Sequence, residues 1–164
     1  RVLPDAAAAQ QPDGVAGAPQ LCINRANMEE GRAVGRIPMR ELSKAGEFPV
    51  AKSDAEWRAE LSPEEYTMLR KEGTETPGTG EYFNFLPKDG YFQCRACSHP
   101  LYSAGSKFKD CGWDAFDKCF YTGDRCAVAC QWDGGGIEII CNNCGSHLGH
   151  VFYGEKQTET DERH

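Results

Sequence analysis

The chain has 164 residues, the size of one ordinary domain with some length left over, so two full domains are not expected. Its formal net charge of -7 argues against nucleic acid as a partner, because such affinity comes largely from Lys and Arg side chains that neutralise phosphates. No apolar run approaches the roughly 18 residues needed to cross a bilayer, and no basic segment leads into an apolar one, so neither a membrane protein nor an intact secretory signal is expected.

The first segment, residues 1–46, is rich in Ala, Gln, Pro and Gly. Such a composition buries too little apolar surface to offset its ordering entropy. We therefore expect a flexible N-terminal extension over 1–46 and a folded domain over 47–164.

Two helix starts follow the extension. Ser53 and Ser62 each precede a glutamate by three residues, which is the spacing of a capping box. Pro63 suits the first turn of the second helix and Gly73 suits its end, so that helix is predicted near 63–72. We expect two or three short helices at the start of the domain.

From residue 74 onward, short apolar or aromatic runs are separated by Gly, Pro, Asn and Asp, a pattern typical of strands joined by turns. Three glycines at 134–136 predict a sharp loop between two of these strands. The fold class predicted is α+β, mainly antiparallel β. The candidate strands are Tyr82–Phe85, Tyr91–Gln93, Cys126–Trp132, Ile137–Ile140 and His150–Tyr153.

Two Cys-x-x-Cys pairs predict a structural zinc site, made by Cys94 and Cys97 with Cys141 and Cys144. Zinc in a closed site takes four soft donors at tetrahedral corners, and a Cys-x-x-Cys turn presents two thiolates to one ion. The alternatives are two redox-active pairs or two disulfides, and the absence of a βαβ pattern around either pair disfavours thioredoxin-like use.

Cysteine usage also bears on location. The chain has 9 cysteines, an odd number, whereas a secreted disulfide scaffold usually has an even set. It begins at Arg1 without a methionine, as a processed product does. We expect a protein of the cytoplasm, or of a mitochondrion or plastid after removal of a targeting peptide, and not a secreted one.

His147 and His150 stand three positions apart directly after the second cysteine pair. From spacing alone they could be zinc ligands, surface histidines or donors in a polar pocket. Four thiolates already fill the coordination of a zinc ion, which weakens the first alternative.

Together with residues 107–116, which include Cys111-Gly112-Trp113, the stretch 145–152 resembles the core motifs of the methionine-R-sulfoxide reductases. The resemblance runs from about Phe48 to His164, with both cysteine pairs in the family's order. It implies a β-rich fold with an open-barrel-like or β-tent sheet core, N-terminal helices, and Zn²⁺ held by the four paired cysteines.

The resemblance also implies roles for five pocket residues. Trp113 would pack against the S-methyl group of the substrate, although a tryptophan there could otherwise be a core residue. His147 and His150 would position the sulfoxide, with a protonated imidazole donating to its oxygen. Phe152 and Arg163 are expected to bind substrate beside them.

The reaction needs a nucleophile that attacks sulfur and becomes a sulfenic acid, and a second thiol that condenses with it. Cys111 stands where many members of the family keep this second, resolving cysteine; a buried structural thiol is the alternative. Cys119, Cys126 and Cys130 are further candidates for the resolving role.

In the family, the attacking cysteine or selenocysteine leads a Cys-x-Asn strand, and this sequence stops at His164, one residue before it. Three explanations stay open. The chain could have been cut there, a selenocysteine codon could have been read as a stop, or Cys22 in Cys22-Ile23-Asn24 could supply the thiol. Cys22 is more simply an incidental thiol, because three-residue matches are common.

These features predict an enzyme that reduces methionine-R-sulfoxide in proteins to methionine and is recycled by thioredoxin. We expect it to act as a monomer, with oxidised methionine as its substrate and neither nucleic acid nor membrane as a partner. The alternative is a catalytically incomplete zinc-binding fragment or a module that only binds oxidised methionine.

Overall fold

The computed structural model describes residues 2–3, 48–110, 112–122 and 125–164. Apart from Val2–Leu3, the predicted extension over 1–46 lies outside the described residues, as do Cys22 and Cys111. Within the described ranges, no helix is both long enough and apolar enough to cross a membrane.

The described residues contain two α-helices, both where the capping patterns predicted them. Helix α1 spans Asp54–Glu60 and helix α2 spans Pro63–Arg70. Each begins with a complete capping box, in which Ser53 or Ser62 accepts from the backbone N–H three residues on and the glutamate there accepts from the serine N–H. The inner faces of the helices bury Trp57 and Tyr66.

Twelve short strands carry the rest of the described chain. All pair antiparallel, giving five small sheets: β1-β2-β3, β4-β5, β6-β7, β8-β9-β10 and β11-β12. This confirms a mainly antiparallel β fold with helices at the start, whereas the open-barrel closure and a third helix stay predictions. The strands are β1 Val2–Leu3, β2 Tyr91–Gln93, β3 Pro100–Ser103, β4 Lys107–Phe108, β5 Ala115–Phe116, β6 Tyr121–Thr122, β7 Arg125–Cys126, β8 Val128–Trp132, β9 Ile137–Cys141, β10 His147–His150, β11 Phe152–Tyr153 and β12 Glu162–Arg163.

One predicted strand is wrong. Residues 82–85 form a turn, in which the N–H of Phe85 donates to the carbonyl of Tyr82 (2.9 Å). The cause lies outside the segment, because the buried ammonium of Lys107 binds the carbonyl oxygens of both residues. In a strand, residues three apart would be separated by about 10 Å. The carbonyls of Tyr82 and Phe85 can therefore reach one ammonium only where the chain turns.

The core connects the helices to the middle of the sheet that carries β8 and β9. Trp57 of α1 and Val128 of β8 are almost completely buried, and they belong to the same hydrophobic cluster as Ile139 of β9. That cluster also contains three of the four paired cysteines. The site of the predicted metal is therefore part of the core.

Candidate functional site

The four paired cysteines converge, as the sequence predicted. All four Sγ atoms lie within 4.8 Å of one another, and the closest pairs, Cys94 with Cys144 and Cys97 with Cys141, are each 3.7 Å apart. A zinc ion with tetrahedral thiolates at about 2.3 Å separates its sulfurs by about 3.8 Å. The cluster therefore has the donors and the dimensions for Zn²⁺.

The two halves of the cluster share one backbone design. In each, the first cysteine's carbonyl accepts from the N–H four residues on, Ser98 N to Cys94 O and Gly145 N to Cys141 O, both at 2.8 Å. In each, the first cysteine's N–H donates to the carbonyl five residues on. Ser98 and Gly145 both have left-handed backbones, with φ of 58° and 71°. We call each of these turns a knuckle, the first over 94–98 and the second over 141–145.

Residues from the start of the domain brace the second knuckle. Arg70, in the last turn of α2, donates to the carbonyl of Cys144 (3.2 Å) and to the hydroxyl of Ser146 (3.3 Å). The ring of Phe48 lies so close to Gly145 that a Cβ there would clash with it. These contacts tie the start of the domain to the second knuckle.

His147 and His150 face each other, although regular strand geometry would separate them. Residues three apart in a strand point to opposite faces. A bulge between His147 and Gly149 breaks the pairing of β10 with β9, and Gly149 takes a positive φ of 140°. The extra residue brings the two imidazoles to the same side, with ring centroids 5.9 Å apart.

Each histidine is oriented by a carboxylate. The Nδ1 of His147 bonds to Oε1 of Glu138, and the Nε2 of His150 bonds to Oδ2 of Asp133, both at 2.6 Å. These bonds fix the ring positions, so that Nε2 of His147 and Nδ1 of His150 are the nitrogens that could meet a ligand. Neither histidine belongs to the cysteine cluster.

The two carboxylates differ in their surroundings. Glu138 is almost completely buried, and Gln131 donates to its second oxygen (2.6 Å). Asp133 sits at the glycine loop that the sequence predicted, where it accepts from the N–H groups of Gly135 (2.8 Å) and Gly136 (2.7 Å). The bond with His150, followed by those two N–H groups, lowers the pKa of Asp133 to about 2.

Trp113 is held by its edge and keeps its ring accessible. Its indole N–H donates to the carbonyl of Glu75 (2.9 Å), and the neighbouring Gly112 carbonyl accepts from Gly78 N (2.7 Å). The residue is 41% exposed, which disfavours a core-packing role. An anchored, exposed aromatic face suits an apolar ligand.

Arg163 joins the last strand to two other segments. Its guanidinium lies 4.2 Å from the ring centre of Phe152 and binds Glu155 through Nε (2.5 Å) and Nη2 (2.8 Å). Its Nη1 reaches the carboxylate of Asp110 (3.3 Å), directly before Cys111 in the sequence. The bond to Arg163 also lowers the pKa of Glu155.

The end of the described chain is held in place. The backbone of His164 exchanges two hydrogen bonds with that of Phe116, at 2.8 and 3.2 Å. Its buried side chain bonds to Glu162 (2.9 Å) and meets the ring of Tyr102 edge-on. A residue after His164 would therefore start from a fixed point beside β5.

The sequence-based prediction missed Glu138, Asp133 and Asp110, the carboxylates that orient the site residues. A signal existed for Glu138, which is the one charged residue in the apolar run 137–140. A buried acid in such a strand requires a partner. The run of glycines after Asp133 marked its turn but not its bond to His150, and nothing near Asp110 marked its bond to Arg163, because both of these partners are distant in the sequence.

Comparison with known proteins agrees with this architecture. Residues 61–164 match the SelR domain. The chain is 52% identical over 127 residues to peptide methionine sulfoxide reductase B3 of Arabidopsis thaliana, covering 75% of this chain and 69% of that protein. It is 46% identical over 125 residues to peptide methionine sulfoxide reductase MsrB of Leifsonia xyli, covering 73% and 86%.

A further relative is peptide methionine sulfoxide reductase B3, chloroplastic, of rice (Oryza sativa subsp. japonica). The identity is 51% over 119 residues, which are 70% of this chain and 50% of that protein. A domain match over more than half of the chain, with relatives of this identity, decides the family. The chain therefore belongs to the SelR-domain family, the peptide methionine sulfoxide reductases B.

Proposed function

We propose that this enzyme reduces the R epimer of methionine sulfoxide in proteins, with His147 and His150 as the groups that bind the sulfoxide oxygen. The observation that carries the proposal is the bulge in β10, which turns both imidazoles to one side while Glu138 and Asp133 hold their outer nitrogens. When it is protonated on both nitrogens, each imidazole keeps one N–H on its carboxylate and offers the other N–H to an oxygen that gains negative charge.

Chemistry at sulfur requires a nucleophile, and we place it directly after His164. The hydrogen bonds between His164 and Phe116 fix where the next residue begins. A thiolate there would attack the sulfoxide sulfur while an imidazolium gives its proton to the oxygen. The hydroxyl then passes from the methionine sulfur to the cysteine sulfur as the new S–S bond breaks, so that methionine departs and the cysteine is left as a sulfenic acid. Arg163 lies two residues before that position, and its positive charge would favour the thiolate.

Cys111 is proposed as the resolving cysteine. It lies outside the described residues, but its neighbour Asp110 is tied to Arg163 (3.3 Å). Attack of the Cys111 thiol on the sulfenic sulfur would form a disulfide and release water. A dithiol protein of the thioredoxin type would then restore both thiols by exchange.

Substrate methionine is proposed to enter beside Trp113, Phe152 and Arg163. Trp113 and Phe152 are 41% and 45% exposed, so the aromatic faces of both side chains are accessible to a ligand. The soft sulfur and its methyl group pack favourably on such faces. When bound, Zn²⁺ would supply folding energy at the four cysteines and would take no part in the reaction.

We further propose that the protein acts as a monomer and works in the cytoplasm or in an organelle. The rice relative named chloroplastic supports an organellar form. Neither proposal affects the assignment of the pocket.

The test is turnover of separate R and S epimers of a methionine sulfoxide peptide, with dithiothreitol as reductant. For this assay the chain is extended after His164 by Cys, one spacer residue and Asn. The matched control has the same extension with Ser in place of that Cys. Turnover of the R epimer alone, lost in the serine control, supports the proposal. Binding without turnover of either epimer would favour the binding module, and activity that disappears with Cys22→Ser would move the nucleophile to the N-terminal segment.

A further inference from the structure

A second pair of sulfur atoms lies outside both the zinc cluster and the sulfoxide pocket. The Sγ atoms of Cys119 and Cys126 are 3.0 Å apart, and both residues are only 2% exposed. The closest sulfur pairs of the zinc cluster are 3.7 Å apart, the spacing that a shared metal requires. The shorter spacing leaves only about 1 Å to close before it reaches the bond length of a disulfide, about 2.0 Å.

Strand register explains why the two thiols meet. In the β6-β7 pair, Tyr121 lies directly opposite Cys126, and the pairing continues through a hydrogen bond from Ala127 N to Phe120 O (2.9 Å). Because side chains alternate along a strand, Cys119 is on the same side as Tyr121 and sits diagonally across from Cys126. The ends of a short hairpin thus hold two thiols against each other.

We propose that Cys119 and Cys126 form a redox-active dithiol, which hydrogen peroxide converts to a disulfide that closes the base of this hairpin. The Cys126 sulfur attacks one peroxide oxygen, the O–O bond breaks, and Cys126 becomes a sulfenic acid with release of one water. The Cys119 sulfur then attacks the Cys126 sulfur and displaces the second water. Two thiols and one peroxide give one disulfide and two waters, a two-electron oxidation of the protein.

The surroundings of the pair support this order of events. The bond from Cys119, followed by the backbone N–H of Val128 and the side chain of Tyr121, lowers the pKa of Cys126. The same bond to Cys126, together with burial, raises the pKa of Cys119. The backbone N–H of Val128 contacts both sulfurs, whereas the Tyr121 side chain bonds only the Cys126 sulfur of the two, so we assign Cys126 as the attacking thiolate. Both thiols are buried in the hydrophobic cluster, so the hairpin must open locally before a small neutral oxidant reaches them.

The disulfide would act on the zinc site through the backbone. Asn142, inside the second knuckle, donates from its side chain to the carbonyl of Cys126 (2.8 Å) and from its backbone to that of Ala127 (2.9 Å). A cross-link between Cys119 and Cys126 would restrict the motion of residues 126–127, to which the second knuckle is hydrogen-bonded. The oxidised form should then release zinc to a chelator more slowly than the reduced form.

Peptide mapping of the full zinc-loaded chain tests the proposal. Trypsin cleaves after Lys118 and Arg125, so Cys119 ends up in peptide 119–125 and Cys126 begins the next one. After a stoichiometric dose of hydrogen peroxide, remaining thiols are alkylated in denaturant before digestion. The expected result is a disulfide that joins these two peptides. The amount of alkylated peptide 119–125 should fall as the amount of the disulfide-linked product rises. Recovery of Cys119 in alkylated form, at doses that oxidise other cysteines, would overturn the proposal.

Matched variants identify the partner. Cys130→Ser replaces another buried cysteine on the same long peptide, and it should keep the cross-link. Cys126→Ser should abolish it, and a cross-link that survives Cys126→Ser or disappears with Cys130→Ser would contradict the assigned pair. A second readout in the unsubstituted protein is thermal unfolding, where the oxidised form should melt several degrees higher with unchanged zinc content. An unchanged or lower midpoint would refute the effect on the hairpin.

Discussion

Replacing Gly145 with alanine tests the geometry of the second knuckle. Gly145 has φ of 71°, and an added Cβ would lie 2.8 Å from Cδ2 and Cζ of Phe48 and closer still to Cε2. A left-handed backbone costs an L-residue about 1–2 kcal/mol, and overpacking a filled site costs about 1–3 kcal/mol. Gly145→Ala should therefore lower the free energy of unfolding by about 2–5 kcal/mol. That is a large part of the roughly 5–15 kcal/mol that keeps an ordinary domain folded.

Urea unfolding of the zinc-loaded protein, followed by tryptophan fluorescence, measures this loss. Ser98→Ala is the matched control, because Ser98 has the equivalent position in the first knuckle and already carries a Cβ at φ of 58°. Being exposed, it should change the free energy of unfolding by no more than about 0.5 kcal/mol.

A double-mutant cycle separates strain from clash. Adding Phe48→Ala to Gly145→Ala removes the clashing ring. The part of the lost free energy of unfolding that is due to overpacking should then be recovered, and the part that is due to the left-handed backbone should remain. If Gly145→Ala unfolds at the same urea concentration as the parent and keeps its zinc, the knuckle geometry described above is wrong.

Three further predictions concern the metal, the pocket and pH. Zinc analysis should find about one ion per chain, and Cys141→Ser should lose both the ion and cooperative unfolding, because structural zinc contributes folding energy directly. In a form with a thiol after His164, His147→Ala should lower R-sulfoxide turnover by about 10²–10⁴-fold with unchanged zinc; loss of zinc would instead make the histidine a ligand. The pKa of Asp133 falls from 3.8 to about 2 on folding, so its ionised form stabilises the protein above pH 3.8, and this contribution disappears as the pH falls toward 2. Urea unfolding of the parent and of Asp133→Asn should therefore differ at neutral pH and converge near pH 2; a constant difference would show that the carboxylate does not act through its charge.

The zinc site was predictable because its information is local and duplicated. A Cys-x-x-Cys turn encodes its own geometry, and a small residue after each pair, Ser98 or Gly145, fits the left-handed position that closes the turn. The capping boxes at Ser53 and Ser62 were readable for the same reason, since each is complete within four residues. In these segments the sequence pattern and the structure agree on where each element begins.

The errors and omissions arise where distant residues decide the local structure. Residues 82–85 have the aromatic pattern of a strand, but Lys107 draws two of their carbonyls into a turn. The common orientation of His147 and His150 depends on a bulge against β9, and no spacing rule for a single strand reveals a bulge. Family resemblance supplied those roles, because spacing alone left zinc ligands, surface histidines and pocket donors as alternatives.

Burial of the cysteine cluster has a kinetic consequence. Three of the four ligands are at most 2% exposed, and the two knuckles come from opposite halves of the folded domain's sequence while sharing its hydrophobic cluster. Only Cys97 is partly exposed, so a chelator would meet a bound ion at that one thiolate; the other three would release the ion only when the knuckles separate, and that separation opens the core. The rate at which zinc leaves should thus equal the rate at which the domain opens, and it should become independent of chelator concentration. The rate of zinc release would then measure the rate at which this domain opens.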